Sequence, residues 1–405
     1  MALQFTRNAN VYVQLTDGAT PTPAHQQAWK LSVLDGFSFT QSINSSEITI
    51  NEAGSTSRRA RLLFNDSLAP VEWSMSTYAR PFSDSGISNR TRAPEDVLWA
   101  MLLGADEYNN GVFSSSAVTS PNDVVNTIGN HSTDDTSTNT FDFSASNVSS
   151  FPDKWRIYFS FEEEGNTQVY RLDSAVVNSV TMDFDIDGIA TLQWSGFAKA
   201  IVDAGESVPT ALTAAQSPNP VIATGLSDST NFIRNRISTV SLVRTDKYIG
   251  ASPAVSPESQ TSPIVDVYNI VLTGGSFTIE NNISYLTPEE LGTVNSPLAN
   301  ITGARSISGS LTCYLDNSDD ESKSGELFAD LVSDTTTVRN KFDMAINIGG
   351  TAADTSRIIF DLPTAHLEVP TINVEDLLTL EINFHGQVAN GNVDNTDEAT
   401  IIYKS

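Results

Sequence analysis

Residues 183–188 read DFDIDG, a run in which three aspartates alternate with two apolar side chains. This spacing is similar to the first half of an EF-hand loop, where alternate acids bind Ca²⁺ ahead of a glycine. The twelfth position of that loop requires a bidentate glutamate, and here it is Trp194. We therefore interpret the run as a β-strand with Phe184 and Ile186 towards the core and an acidic face towards solvent. The predicted solvent-facing acids are Asp183, Asp185 and Asp187.

The other residues that could do chemistry are few and dispersed. The four histidines are too scattered for a zinc motif, although His366 and His385 fall in strands that could pair. Cys313 is the only cysteine, so no disulfide can form within the chain, and its alternating surroundings predict a small core residue. No phosphate loop, dinucleotide fingerprint or nucleophile elbow is apparent. We predict no active site, metal or cofactor, and therefore a protein that is not an enzyme.

Acidic residues dominate the charge of the chain, because 49 Asp and Glu against 22 Lys and Arg give a formal net charge of -27. This balance disfavours nucleic-acid binding through a basic face, since phosphate contacts require Lys and Arg. Neither a secretory signal nor an apolar run of the roughly 18 residues needed to cross a membrane is apparent. We expect a soluble protein made in the cytoplasm.

Period-2 alternation of apolar and polar residues predicts a mainly β protein built from antiparallel sheet. Two segments break this period and predict short helices, residues 94–103, which open with Pro and two acids, and residues 324–332. Strands are predicted at 37–43, 155–161, 175–186, 189–197, 265–272, 306–315, 342–348 and 377–384.

Blocks of sequence occur twice in the same order. Residues 36–40 (GFSFT) match 274–278 (GGSFT), and residues 192–196 (LQWSG) match 382–386 (INFHG). The shift falls from 238 (274 minus 36) to 190 (382 minus 192), so the first copy carries the extra insertions. The sequence therefore predicts a duplicated module.

The duplication predicts two tandem modules, each with one short helix. The first covers residues 1–205 and includes an exposed insertion, rich in Ser, Thr and Asn, at about 109–150. A linker rich in Pro, Ala and Ser follows at 206–229. The second module covers residues 230–405 and ends in a short polar tail.

A basic cluster, Arg58, Arg59 and Arg61, stands in a polar, Ser-rich segment of this acidic chain. It is either a solvated turn or a docking surface for an acidic neighbouring subunit. We favour docking, because the chain itself supplies abundant acidic surface as the partner.

Several longer blocks resemble the major tail tube proteins of tailed bacteriophages, in particular the duplicated kind of long, non-contractile tails. The resemblance rests on residues 48–54 (ITINEAG), 64–68 (FNDSL), 72–78 (EWSMSTY), 194–196 (WSG), 274–279 (GGSFTI) and 283–288 (ISYLTP). These blocks follow one another over nearly the whole chain.

The resemblance implies that each module is a β-sandwich with a flanking α-helix and contributes four strands to an intersubunit β-barrel. Three subunits would form a pseudo-hexameric ring, and stacked rings a hollow tube. That tube would conduct the tape-measure protein and then DNA ejected into the host. Some members add a C-terminal immunoglobulin-like domain, which we do not expect here, so the tube should look bare outside.

The implied partners are further copies of the chain, the tape-measure protein, the tail terminator and the tail-tip or baseplate proteins. DNA would pass in transit without sequence-specific binding. We expect a virion tail protein that assembles in the host cytoplasm and does not insert into membranes.

A barrel of 24 strands spaced about 4.8 Å apart and tilted by roughly 45° is about 50 Å across at the backbone, wide enough for duplex DNA. DNA carries about one charge per 1.7 Å of its axis, so an acidic lumen would keep it from adhering to the wall. The predicted lumen-facing acids are Asp183, Asp185, Asp187 and Glu375.

Residues 45–70 and 285–305 are long polar segments at equivalent places in the two modules. We predict that they bridge to the next ring and that the basic cluster meets carboxylates there. The predicted inter-ring or intersubunit contacts are Glu52, Arg58, Arg59, Arg61, Glu289, Glu290 and Arg305.

The alternative is a secreted β-sandwich adhesin or carbohydrate-binding protein. Acidity, Ser/Thr-rich loops and repeated modules are ordinary in that class. Such a protein would carry a signal sequence, and none is apparent.

Overall fold

A computed structural model gives the fold of the chain. It describes residues 9–16, 27–49, 61–84, 90–109, 112–115, 126–131, 138–143, 151–163, 166–205, 231–245, 266–290, 294–317, 323–333, 340–350, 356–374, 377–388 and 397–404. Within these segments no helix is both long and apolar enough to cross a membrane.

The alternating sequence forms strands along most of the described chain. The strands of the first half are β1 (Ala9–Leu15), β2 (Gln27–Leu31), β3 (Ser38–Thr49), β4 (Arg61–Tyr78), β5 (Phe82–Asp84), β6 (Arg90–Arg92), β7 (Glu107–Asn109), β8 (Val112–Ser115), β9 (Asn126–His131), β10 (Thr138–Asp142), β11 (Trp155–Glu163), β12 (Asn166–Asp173), β13 (Val176–Asp185), β14 (Thr191–Ala198) and β15 (Ala200–Gly205).

The second half continues the same pattern. Its strands are β16 (Thr239–Arg244), β17 (Asp266–Ile270), β18 (Leu272–Glu280), β19 (Ser284–Leu286), β20 (Ala299–Ile301), β21 (Ser306–Tyr314), β22 (Phe342–Ile348), β23 (Arg357–Leu367), β24 (Thr371–Val374), β25 (Leu378–Gly386) and β26 (Thr400–Lys404). The helices are α1 (Asp96–Leu102) and α2 (Ser324–Ser333), and a 3-10 turn covers Asn235–Ile237.

Eight strands form one continuous antiparallel sheet, here named the shared sheet because each half of the chain supplies four of them. Its order is β3-β4-β14-β13-β18-β21-β25-β24. The two halves meet at β13 and β18, whose pairing runs from Ser179 opposite Glu280 to Asp185 opposite Gly274. Backbone hydrogen bonds therefore join the halves across the sheet.

Outer sheets cover one face of the shared sheet. The first half supplies the order β2-β1-β11-β12-β15. The second half supplies β17-β16-β22-β23-β26, which β10, β9, β8 and β7 extend through the pair β10–β26. Apart from that extension, the strand order of each layer is the same in the two halves.

The hydrophobic core lies between the layers and encloses α1. Every residue of α1 is buried, and its Trp99 ring meets Trp194 of β14 edge-on at 4.9 Å between centroids. The Trp99 indole also donates a hydrogen bond of 2.7 Å to the hydroxyl of Tyr403 in β26. This helix therefore links the shared sheet to the last strand of the chain.

The predicted fold class, mainly β with two short helices, is confirmed. The second helix occupies 324–333 against the predicted 324–332, and β22 has the predicted bounds. Cys313 is buried in β21, as expected, and its burial raises the pKa of the thiol to about 11. His366 and His385 do pair across β23 and β25.

Three sequence predictions need correction. The predicted strand 265–272 is two strands, because β17 pairs in the outer sheet and β18 in the shared sheet, with the exposed Val271 between them. The insertion at 109–150 is not simply exposed, since it forms strands and buries Phe113, Phe141 and Phe143. Ile186 does not face the core; β13 ends one residue earlier, and Ile186 is 44% exposed. The linker at 206–229 lies outside the described residues.

Candidate assembly surface

The face of the shared sheet opposite the core carries rows of hydroxyl, amide and carboxylate side chains, here named the polar face. It exists because the strands alternate strictly: in β14, Leu192 and Trp194 are buried while Gln193 is exposed. Across the strands the rows are Ser38-Ser74-Ser195-Ser179-Glu280-Ser306, Ser76-Gln193-Thr181-Thr278-Ser308-His385, Asp183-Ser276-Ser310-Asn383 and Asp185-Gly274-Thr312-Glu381-Thr371.

Neighbouring hydroxyls on the polar face bond to one another. The hydroxyl oxygens of Ser179 and Ser195 lie 2.7 Å apart, and those of Ser38 and Ser74 lie 2.9 Å apart. Cross-strand pairs of this kind stabilise a sheet modestly. Each pair uses one of its two O–H donors, so the face stays polar.

The charge of the polar face is negative. Its rows contain four carboxylates, Asp183, Asp185, Glu280 and Glu381, and no lysine or arginine. Beside them, Glu368 accepts hydrogen bonds from Asn383 at 3.1 Å and pairs with His385 at 3.2 Å. These hydrogen bonds lower the pKa of Glu368, so this carboxylate keeps its charge.

The predicted lumen-facing acids fall at different places. Asp183 and Asp185 are exposed on the polar face, while Asp187 is exposed just beyond the end of β13, 3.9 Å from Arg236. Glu375 lies outside the described residues. Sequence reasoning missed Glu280 and Glu381, although each alternates with buried residues along its own strand.

Both edges of the shared sheet end in a strand with one described neighbour. Among the described residues, β3 pairs only with β4, and β24 pairs only with β25. The side chains of Ile372 and Val374 in β24 are 40% and 77% exposed. Apolar side chains of β13 at the internal junction, such as Phe184, are 4% exposed because β18 and its own half cover them. The β24 edge thus leaves apolar surface uncovered.

Threonines mark matching positions at the junction and at the two edges. Thr181 of β13 faces Thr278 of β18, and their hydroxyl oxygens lie 3.2 Å apart. Thr371 of β24 has the same place in the second half that Thr181 of β13 has in the first. Thr371 lies opposite Glu381 of β25, and Thr181 lies opposite Gln193 of β14. Thr40 of β3 corresponds to Thr278 through the GFSFT and GGSFT blocks. The β24 edge therefore carries the equivalent of Thr181, and the β3 edge carries the equivalent of Thr278.

One end of the shared sheet, here named the hairpin end, exposes apolar side chains from both halves. The backbone of β4 and the loop before β20 join there, because the amide of Leu68 donates to the carbonyl of Asn295 at 2.8 Å. The exposed apolar residues at this end include Leu62, Leu63, Phe64, Leu286, Val294, Leu298 and Ile301. Ile186, Ile189, Tyr314, Leu377 and Leu378 are exposed at the opposite end.

The predicted inter-ring residues have varied surroundings. Glu289 and Glu290 are exposed at the hairpin end, whereas Arg305 is held within the chain by Glu398 at 3.4 Å and stacks on Phe143 at 4.9 Å. Burial lowers the pKa of Arg305, and Glu398 opposes that shift. Glu52, Arg58, Arg59 and the side chain of Arg61 lie outside the described residues.

The described residues contain no group of three or more His, Cys, Asp or Glu side chains placed to hold a metal ion. The most distinctive surface of the described residues is instead the shared sheet. Its two edge strands and its polar face suit it to assembly. A family model described as phage tail tube protein matches residues 93–386, well over half of the chain. The chain belongs to the phage tail tube protein family.

A curated relative agrees with this membership. The tail tube protein pb6 of Escherichia phage T5 is 29% identical over 401 residues, covering 95% of this chain and 72% of that protein. A phage tail tube protein is a structural component of the virion tail, and this confirms the resemblance that the sequence blocks indicated.

Proposed function

We propose that three copies of this tail tube protein join edge to edge, β24 of one copy against β3 of the next, into a closed ring of 24 shared-sheet strands. Rings stack into a hollow tube whose bore is lined by the polar face. The tube conducts the tape-measure protein and then DNA, and it needs no catalytic residue or cofactor. The observation that carries this proposal is the eight-stranded sheet, whose two edge strands each have one partner in the part of the chain that the structure describes.

The internal junction is the template for the contact between copies. A pseudo-sixfold ring requires each half of the chain to meet the next half in a similar way, whether or not a covalent link joins them. The threonine pair predicts the register: Thr371 opposite Thr40, Ile372 opposite Phe39 and Asn373 opposite Ser38. The contact would also cover the exposed Ile372.

This register makes a cross-linking prediction. The double variant Thr40→Cys/Thr371→Cys should form intermolecular disulfides under mild oxidation, because paired residues on antiparallel strands stand within disulfide reach. A non-reducing gel should show a ladder that stops at three copies. Cys313 is buried and should not interfere.

The matched control shifts one cysteine by two residues, in Thr40→Cys/Asn373→Cys. Diagonal positions lie about 7–8 Å apart, beyond good disulfide geometry, so this variant should cross-link far less. Equal cross-linking of the two variants would refute the register, and a ladder that continues past three would refute the trimeric ring.

The orientation of the polar face follows from its charge. DNA in the bore would meet carboxylates and no lysine or arginine of these rows, and repulsion within a Debye length of about 8 Å would keep phosphates off the wall. We propose that Asp183 and Asp185 line the bore, together with Glu375, and that Asp187 stands at its rim. Glu280 and Glu381 join them on the same face.

We also propose that the hairpin end of one ring packs on the opposite end of the next. The apolar residues at both ends support this, and Glu289 and Glu290 lie beside them. The basic cluster Arg58, Arg59 and Arg61, with Glu52, belongs to the segment 45–70 and is proposed to pair with carboxylates across this contact. Arg305 would contribute through neighbouring surface residues, because its own charge is already paired with Glu398.

A cryo-electron microscopy map of assembled tubes would test both proposals. We expect the rows containing Asp183 and Glu381 on the bore and the residues 62–64 between successive rings. A map with the polar face on the outer wall would overturn the proposed lining, and rings that touch only through other segments would overturn the proposed stacking.

The modules proposed from the sequence are compatible with this assembly. The repeated strand order supports a first domain at 1–205 and a second at 230–405, since β15 ends at Gly205 and the next described strand begins at Thr239. Each domain would occupy one of the six positions of the ring.

A further inference from the structure

The β3 edge of the shared sheet carries a cluster of aromatic side chains that the single chain leaves partly uncovered. Phe39 stacks on Phe159 of β11 at 4.6 Å between ring centroids, and Phe37, just before β3, stacks on the same ring at 5.3 Å. Phe161 and Tyr170 extend the cluster. Phe159 is fully buried, whereas Phe37 and Phe39 are only partly buried. The β3 edge therefore presents apolar surface on its open side.

The internal junction shows what covers the equivalent surface in the second half of the chain. Through the GFSFT and GGSFT blocks, Phe39 corresponds to Phe277 of β18. Phe277 lies opposite Met182 of β13 and is 1% exposed. Ile372, which has the place of Met182 on the β24 edge, is 40% exposed. A strand beside β3 would thus cover Phe39 and Ile372 together, as β13 beside β18 covers their equivalents.

At the next core-facing position of the junction, one strand supplies a ring and the other makes room for it. Phe184 of β13 lies opposite Gly275 of β18. A Cβ on Gly275 would stand 2.6 Å from Cζ of Phe184, so the ring lies directly over the glycine. Any residue larger than glycine would force this ring or its strand to shift.

The two open edges carry the reverse arrangement at the same position. Phe37 corresponds to Gly275 through the repeated blocks. Val374 of β24 corresponds to Phe184, because each stands three residues after its equivalent threonine. The ring is therefore on the β3 edge and the smaller side chain on the β24 edge. In the single chain, Val374 is 77% exposed.

We propose that Phe37 and Val374 determine which strands pair when copies of this chain assemble, an inference that rests on the proposed contact of β24 with β3. Val374 of one copy packs beside Phe37 of the next, where a second ring would not fit. The exchanged pairings pack poorly: β24 against β18 would leave a gap over Gly275, and β13 against β3 would bring Phe184 onto Phe37. The internal junction therefore stays closed while the β24 edge finds the β3 edge of a second copy.

The test places a ring on the β24 edge and measures disulfide-linked trimers. In the Thr40→Cys/Thr371→Cys background, Val374→Phe should raise the protein concentration needed for half-maximal cross-linking by about tenfold or more, because the added ring overpacks the contact. The matched control is Val332→Phe, the same change at a valine of α2 that is 52% exposed. It lies outside the shared sheet and should stay within about twofold of the parent.

A reversal of sign distinguishes a matched pair from a general effect of the added ring. Phe37→Gly gives the β3 edge the gap of the junction, so adding Val374→Phe should restore the arrangement of Phe184 over Gly275. The double variant should then assemble at lower concentration than Phe37→Gly alone. Both variants carry the same loss of stacking on Phe159, so this comparison holds even where that loss is large.

The outcomes separate this inference from the proposed ring. Equal cross-linking of the parent and Val374→Phe would overturn the pair while leaving the edge contact in place. A loss from Val374→Phe in both backgrounds would mean that any bulk at this position obstructs the contact, and it would overturn the match with Phe37. Absence of cross-links in the parent would overturn the edge contact itself, and the pair with it.

Discussion

The free energy of unfolding should fall as pH rises from about 4.5 to about 8, and Glu95→Gln should abolish much of that fall. Glu95 precedes α1 and is completely buried, and its burial raises the pKa of the carboxyl from 4.5 to about 8. Oε1 accepts a hydrogen bond of 2.7 Å from the Tyr403 hydroxyl, while Oε2 is buried without a hydrogen bond. The proton is therefore retained in the folded chain at neutral pH.

Burial sets the direction of the effect, and the charged groups near Glu95 only adjust it. Asp96, its neighbour, raises the pKa of Glu95 further, and the hydrogen bond from Tyr403 opposes burial without outweighing it. Asp96 is itself paired with Arg92 at 2.9 Å, and both side chains are buried. The charge of Glu95 acts on Arg80 as well, in the direction that raises the pKa of Arg80. Arg92 therefore neutralises Asp96, and burial remains the main cause of the raised pKa of Glu95.

The sign follows from proton counting. Below pH 4.5 the carboxyl is protonated whether folded or unfolded, so its full contribution to stability is present. Between 4.5 and about 8 the unfolded chain loses the proton that the folded chain keeps, and stability declines by about 1.4 kcal/mol per pH unit. The total loss is on the order of 5 kcal/mol and is complete above about pH 8.

Urea denaturation at intervals between pH 4 and pH 9 measures this dependence. Glu95→Gln keeps the shape and the acceptor for Tyr403, so its curve should be flatter and should lie above the wild type at pH 8. Glu381→Gln, an exposed carboxylate on the polar face, is the control and should keep the wild-type slope. Equal slopes for the wild type and Glu95→Gln would show that Glu95 ionises normally in the folded chain.

The sequence predicted the strands that have one buried face and one solvated face. In β22 the alternation is unbroken and the predicted bounds are correct. In β21 the alternation is interrupted at Gly309, and the predicted end differs by one residue. The acids Asp183 and Asp185 were recognised for the same reason, since they alternate with buried Met182 and Phe184. A period-2 pattern shows which face of a strand is buried, and it does so without reference to the neighbouring strands.

What the sequence did not predict depends on contacts between distant segments. The insertion strands β7 to β10 are three to six residues long, too short for a periodic signal, and they join the outer sheet through the pairing of β10 with β26. The junction of β13 with β18 joins residues about a hundred positions apart, and a strand's own pattern does not specify its neighbour.

A further feature hidden from the sequence is a pair of glycines under aromatic rings. Gly196 of β14 lies opposite Trp73 of β4, and Gly309 of β21 lies opposite Phe384 of β25. By strand pairing these are the same cross-strand position in the two halves, two residues from the register that the LQWSG and INFHG blocks imply, with the large and the small residue exchanged between the strands. In each half one strand supplies an aromatic ring and the neighbouring strand supplies the glycine that makes room for it. The packed volume of the core is therefore preserved.

Gly196→Ala should consequently destabilise the chain strongly, by about 3 kcal/mol. Its Cβ would stand 2.0 Å from the carbonyl oxygen of Val176 and 2.6 Å from the Trp73 ring. Backbone cannot move aside as a flexible side chain can, so the strand itself must shift. Gly309→Ala should behave alike, because its Cβ would stand 2.1 Å from the carbonyl oxygen of Ser276.

The matched control for both variants is Gly274→Ala, on the polar face of the same sheet. Its Cβ would meet nothing closer than a carbonyl oxygen at 3.3 Å, so the change in unfolding free energy should stay within about 1 kcal/mol. Denaturation midpoints of the three variants at one pH measure the difference. Because Phe384 covers Gly309, shortening that ring in Gly309→Ala/Phe384→Leu should restore part of the loss. A Gly196→Ala midpoint equal to that of Gly274→Ala would show that Trp73 does not lie against the glycine and that the two halves do not share this packing.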